Sequence, residues 1–281
     1  MTSPTDPPIS QRDGIRALFD AVAADYDQSG VSFFEPIAAG LVGELAPQPG
    51  ERALDIGCGR GAVTLGLADA VGPEGAVTAV DLSPEMATRT EALLLAAGHR
   101  ADVRVLDAGA PDLPQAAYDI VASSLVLFFL DDPAEALRRW VGLVAPGGRI
   151  GVTTFGAHDS VWSSVEDLFT PWLPPALRDP RLLDQDSPFR SDAGMEQLLA
   201  TAGGTEVRTV TYDLSVAFDD AEQWRRFSMS AGQRAMWAAV PEGHHGDVVA
   251  RAAVLLEEAR QPDGGIVLTQ GIRYTVGRAS S

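Results

Sequence analysis

Residues 54 to 61 read Leu-Asp-Ile-Gly-Cys-Gly-Arg-Gly, and twenty residues after Gly61 comes Asp81, closing the apolar run 76–80. An apolar run, glycines at 57, 59 and 61, then a helix-like segment over 62–70 describe a strand turning tightly into a helix. Such a turn leaves bare backbone where a ligand can approach. An acidic residue ending the following strand suits a ribose diol. Dinucleotide sites space their glycines G-x-G-x-x-G and keep negative charge out of the turn, because a pyrophosphate sits on the helix N-terminus. Here the spacing is G-x-G-x-G, and Asp55 stands just before the turn. A carboxylate there repels a pyrophosphate and suits a ligand carrying a cationic amino or sulfonium group.

The ligand this favours is S-adenosylmethionine. Further along come Val80-Asp81-Leu82-Ser83-Pro84-Glu85-Met86, Val105-Leu106-Asp107-Ala108, Tyr118-Asp119-Ile120-Val121 leading to Ser124 and Leu125, and Leu143-Val144-Ala145-Pro146-Gly147-Gly148. With these in order, residues 19–155 resemble the class I S-adenosylmethionine-dependent methyltransferases, in the small-molecule branch similar to the ubiquinone/menaquinone-biosynthesis enzymes. The resemblance implies Asp55 near the amino-acid end of the cofactor, wrapped by Gly57, Cys58 and Gly59. It implies Asp81 on the ribose hydroxyls, Leu82 and Met86 beside the adenine, and Asp107 with Ala108 at the adenine amino group. Ser124 and Leu125 fall beneath the methionine part. Two departures limit the transfer. Where relatives carry a His pair after the fourth strand this chain has Phe128-Phe129, and the basic residues common before the Pro-Gly-Gly turn are replaced by Gly142 and Ala145.

Stepping along the chain, the elements that must position these groups alternate: strands over 52–56, 76–81, 102–106, 120–124 and 149–155, with helices between them. Helical spacing over 13–26 (Ile15, Leu18, Phe19, Val22) and 36–45 places two helices ahead of the first strand, unlike the simplest dehydrogenase plan. Later come helices over 160–169 and 192–202, a β-type run 205–216, helical stretches 219–240 and 247–260, and a final strand 266–276. The expectation is an α/β fold: a doubly wound seven-stranded Rossmann-like sheet with a C-terminal antiparallel hairpin and a helical cap inserted around the last strands. The expected division is a disordered leader (1–10), N-terminal helices covering the active site (11–48), a cofactor-binding core (49–156), and cap insertions with closing strands (157–281).

Composition narrows the function. The 281 residues are 46% hydrophobic, enough for a packed core, and the net charge of −18 opposes a phosphate-backbone partner. Nucleic acid is therefore not expected. The single cysteine, Cys58, excludes an intrachain disulfide and reads as a small filler beside the cofactor. The N-terminus lacks the basic start and apolar core of a signal peptide, and the longest apolar stretch, 120–130, is too short to span a bilayer. The expectation is a cytoplasmic protein with no membrane partner and no metal. The sequence does not indicate an oligomeric state.

Four of the five tryptophans lie after residue 156. Trp162, Trp224, Phe227 and Trp237, with Phe128 and Phe129, are the candidate roof of an apolar substrate pocket, against the alternative that they are ordinary cap core. Methyl transfer from a sulfonium is an in-line displacement that requires alignment and exclusion of water. His158, just past the fifth strand, is the candidate general base, with an exposed loop histidine as the competing reading. The resemblance adds Tyr26 as a residue closing over cofactor and substrate. Asp131-Asp132 before Pro133 reads as a helix N-cap in preference to a cation site. These features point to methyl transfer onto O, N or C of a small, partly hydrophobic, natural-product or quinone-like molecule. The alternatives are a modified-peptide carboxyl or N-methyltransferase, a cofactor-binding protein without methyl transfer, and a nicotinamide-dependent oxidoreductase.

Overall fold

The computed structural model describes residues 11–23, 29–173, 186–230 and 233–280. The described strands are β1 (Arg52–Ile56), β2 (Ala76–Asp81), β3 (Asp102–Val105), β4 (Tyr118–Ser124), β5 (Val144–His158), β6 (Thr205–Phe218) and β7 (Ile266–Arg278). They form one seven-stranded sheet in the order β3-β2-β1-β4-β5-β7-β6. The first five run parallel, and β7 lies antiparallel to both β5 and β6. The strand order reverses between β1 and β4, so a crevice opens there at the C-terminal strand ends. The glycine turn leaves β1 at that crevice.

Alternation along the central strands builds two cores. Leu54, Ile56, Val121, Ile150 and Val152 face one way, onto helices α5 (Pro133–Leu143) and α7 (Asp192–Thr201). Ala53, Ile120 and Ala122 face the other, onto α2 (Phe34–Leu45) and α3 (Ala62–Val71). Asp55 shares this second face, which explains how a carboxylate in β1 meets α3.

Local chemistry sets the helix starts near the crevice. Ser83 caps α4 (Pro84–Ala96) by accepting from Met86 N at 3.1 Å. Asp132 caps α5 by accepting from Glu135 N at 2.9 Å, and each helix has a proline in its first turn, where the missing N–H costs nothing. At the far end of α2, Arg149 donates to the Leu45 and Ala46 carbonyls and pairs with Glu51 at 2.7 Å, holding the Glu51 carboxyl below its usual range. That clamp fixes the helix carrying Phe34 and Ala38.

Two segments differ from expectation. β5 begins at Val144, because Val144 pairs with Tyr118 ahead of the Pro-Gly-Gly turn and the register then shifts. The stretch expected as one helix over 219–240 contains α8 (Ala221–Ser230) and α9 (Arg234–Ala239), tied by Trp237 Nε1 donating to Ser228 Oγ at 2.9 Å. With α6 (Ser160–Asp167) and α10 (His245–Leu256), they enclose a cap core around Phe169, Trp224, Trp237 and Val248. The expected leader 1–10 lies outside the described residues, as do residues 174–185 between the expected helices 160–169 and 192–202. No described helix is long and apolar enough to cross a membrane.

Candidate active site

The turn after β1 is held from below. Gly57 N and Cys58 N both donate to Val80 O, at 2.7 and 2.9 Å. Gly57 has φ +74, and a Cβ there would come 2.3 Å from Val126 Cγ2, so only glycine fits. Gly59 N donates to Asp81 Oδ2 at 2.8 Å and Ser83 N to Asp81 Oδ1 at 2.9 Å. Burial pushes the Asp81 carboxyl up, opposed by these backbone donors. The carboxylate is thus fixed in place with lone pairs left for a diol.

Asp55 is 1% exposed. Thr64 Oγ1 donates to its Oδ2 at 2.6 Å, while Oδ1 is buried and has no hydrogen-bond partner among the described residues. Burial pushes its pKa up to about 7, with the Thr64 bond opposing and the charge of Asp81 adding. A buried carboxyl with an unsatisfied oxygen on a cavity wall suits a cationic donor. The residues present therefore fit the amino-acid end of S-adenosylmethionine.

Asp107 Oδ1 accepts from Gly109 N at 2.8 Å, and the next residue, Ala108, is anchored by Trp140 Nε1 donating to its carbonyl at 2.8 Å. At the end of β4, Ser124 Oγ lies 2.9 Å from Thr153 Oγ1, which also accepts from Leu125 N at 3.0 Å. Leu125 takes φ +58, a rare conformation for leucine, and turns the chain along the cavity. Cys58 is buried, and burial together with the charges of Asp55 and Asp81 pushes its thiol well above the usual range. It stays protonated and is no nucleophile.

Asp55, Gly57, Cys58, Gly59, Asp81, Leu82, Met86, Asp107, Ala108, Ser124 and Leu125 all line a single cavity of about 420 Å³. Helix α1 (Gln11–Val22) contributes Arg12, Ile15 and Phe19 to its walls, α2 contributes Phe34 and Ala38, and the turn after β4 contributes Phe129 and Leu130. The wall thus carries the carboxylates of Asp55, Asp81 and Asp107 together with apolar side chains from the two N-terminal helices.

The aromatic roof expected from the cap is elsewhere. Trp162, Trp224, Phe227 and Trp237 are buried in the core, and none lines this cavity. Their polar edges find internal partners, Trp162 Nε1 on Glu166 Oε1 at 3.0 Å and Trp237 Nε1 on Ser228 Oγ, while Trp237 meets Phe169 edge-on at 4.9 Å. Phe128 stacks on Phe155 at 5.5 Å and is absent from the lining, whereas Phe129 is part of it and meets Phe19 edge-on at 5.5 Å. Phe34 and Ala38 went unread because apolar residues four apart on a helix carry the same signal as core.

His158 also lies outside the lining. Its Nδ1 is 2.9 Å from Ser163 Oγ and its Nε2 3.2 Å from Glu166 Oε2, and the ring stacks on Trp162. Burial pushes the Glu166 carboxyl up, but its bonds to His158, Gln233 and Trp162 outweigh this and hold it below the usual range. Tyr26 lies outside the described residues.

Residues 54–152 match the family model described as a methyltransferase domain. The chain is 33% identical over 274 residues to nocamycin O-methyltransferase of Saccharothrix syringae, covering 93% of this chain and 97% of the relative. It is 36% identical over 169 residues to aklanonic acid methyltransferase DauC of Streptomyces sp. strain C5, covering 60% of this chain and 77% of the relative. Among solved structures the cyclase SpnF matches with TM-score 0.58 at 17% identity, covering 98% of each chain, a likeness of fold alone. The chain belongs to the S-adenosylmethionine-dependent methyltransferases, and S-adenosylmethionine is its cofactor.

Proposed function

We propose that this chain transfers the cofactor's methyl group to an oxygen of a small, partly hydrophobic natural product. The observation that carries this reading is the continuity of one cavity from the unsatisfied Asp55 oxygen to the apolar wall of Phe19, Phe34, Ala38 and Phe129. Near full-length similarity to an enzyme named as an O-methyltransferase supports oxygen as the acceptor atom.

The cofactor supplies a methyl on a positively charged sulfur. Asp55 would hold its ammonium, Asp81 its ribose hydroxyls and Asp107 its adenine amino group, while Ser124 and Leu125 would bound the methionine part. Phe34, Ala38 and Phe129 exclude water and align the acceptor oxygen. In the transfer the S–CH₃ bond breaks, an O–CH₃ bond forms and the acceptor's proton is lost, leaving neutral S-adenosylhomocysteine. An acceptor already ionised at neutral pH needs positioning and no base.

The test is incubation with methyl-labelled S-adenosylmethionine and a panel of hydroxylated and carboxylated aromatic compounds mixed with a peptide pool. Label in an organic-extractable product supports the reading, and its release or retention in mild alkali separates ester from ether. Label only in a peptide fraction, or none despite tight S-adenosylhomocysteine binding, overturns it.

A further inference from the structure

Helix α1 lies along the cavity and presents one face to it. Arg12, Ile15 and Phe19, spaced three and four apart, all line the same wall. At a rise of about 1.5 Å per residue this stripe spans roughly 10 Å, comparable to the long dimension of a nucleoside. Its ends are placed by different contacts. Phe19 meets Phe129 at the apolar end, and Arg12 Nε lies 3.4 Å from Asp107 Oδ2 at the other. Beyond Phe19, Ser83 Oγ donates to Asp20 Oδ1 next to the Asp81 strand end, and Arg60 of the glycine turn donates at 3.0 Å to the carbonyl of Ala23, just past Val22. The helix therefore touches the glycine turn, the β2 end and the β3 end at once.

Arg12 is the charged group that this arrangement brings to the adenine end. Asp107 Oδ1 accepts from Gly109 N, and Arg12 Nε lies against Oδ2 of the same cavity-lining carboxyl. A carboxylate oxygen accepts two donors, so an adenine amino group and the guanidinium can use it together. A planar guanidinium beside a purine also gains from the ring's π-face.

We infer that Arg12 is a cofactor-contacting residue: it completes the adenine subsite from α1 and slows cofactor release. This rests on Asp107 marking the adenine end. The side chain is 59% exposed, so the expected effect is modest.

The experiment is stopped-flow release of S-adenosylhomocysteine, with its affinity measured by calorimetry. Arg12→Ala is expected to release the ligand about fivefold faster and to weaken it by a similar factor, with unchanged thermal stability. Arg12→Lys, which keeps charge but loses the planar fork, is expected to fall between. Raised salt is expected to speed release from the wild type and not from Arg12→Ala. Unchanged release in Arg12→Ala overturns the inference. So does equal acceleration in Ala17→Gln on the exposed side of the same helix, which would assign the effect to helix stability. Asp81→Ala keeps the two readings apart, since the cofactor site requires that variant to weaken binding whatever Arg12 does.

Discussion

Thr64 Oγ1 donates a 2.6 Å hydrogen bond to Asp55 Oδ2 on the cavity wall and leaves the carboxyl's other oxygen, also buried, without a partner among the described residues. The pair makes a socket in which one oxygen orients and the other receives.

The socket predicts a pH dependence of cofactor affinity. Asp55 titrates near 7 in the ligand-free protein, mainly because it is buried. A cationic amino group binds the carboxylate and not the neutral acid, so affinity is expected to rise as pH climbs through about 7 and then level off. Asp55→Asn is expected to remove this rise and to weaken binding by about tenfold or more, the scale of a charge-assisted bond. The sign for folding is opposite. A carboxyl whose folded pKa is raised binds more protons folded than unfolded, so its contribution to stability falls as pH rises from about 4 to about 7. Calorimetric titration and thermal melts across pH 5–9 check both, and a flat affinity profile in the wild type would refute the role.

Asp81 is the second anchor, and its two backbone donors make its variants informative. Asp81→Ala removes the acceptor for Gly59 N and Ser83 N and for a ribose diol together. The expected outcome is S-adenosylhomocysteine binding weaker by at least about 30-fold, from one or two bonds to a charged acceptor. The chain is expected to stay folded by circular dichroism, because the β2 core residues are untouched. Affinity within threefold of wild type would remove Asp81 from the site.

The cavity wall predicts which aromatics govern the acceptor. Phe34→Ala opens the apolar end without touching a cofactor-facing carboxylate, so acceptor KM is expected to rise with S-adenosylhomocysteine affinity unchanged. Trp237→Ala, in contrast, empties a fully packed site in the cap and is expected to cost about 3–5 kcal/mol of stability. Steady-state kinetics beside denaturant melts separate the two, and a selective KM effect from Trp237→Ala would return the cap to the substrate pocket.

The contrast shows what the sequence could carry. The β1 turn, Asp55 and Asp81 were legible because backbone conformation and a local carboxylate leave their mark within thirty residues. Sheet alternation was legible for the same reason. Which aromatics face a ligand was not, because Phe34, Ala38, Trp224 and Trp237 all show helical apolar spacing, and only tertiary packing decides which stripe meets a void. Arg12 and Asp107 lie 95 residues apart, and neither type nor spacing links them before α1 docks.

His158 supplies the last test, of chemistry against architecture. Its ring bridges Ser163 and Glu166 under the Trp162 indole, away from the cavity lining. His158→Ala removes the partner of Glu166 Oε2 while Trp162 and Gln233 keep Oε1, and a cost of about 2–3 kcal/mol is expected, below the full value for a buried pair because both groups keep some solvent contact. His158→Gln, which can still donate to Glu166, is expected to recover part of that stability. In both variants kcat is expected to stay within about threefold of wild type, far from the hundredfold or greater loss that follows removal of a general base. The pH profile of kcat decides between the roles. If the wild type shows a rising limb near neutrality that disappears in His158→Gln, the ring moves a proton. If the profile is the same in both, His158 and Glu166 hold α6 to the end of β5.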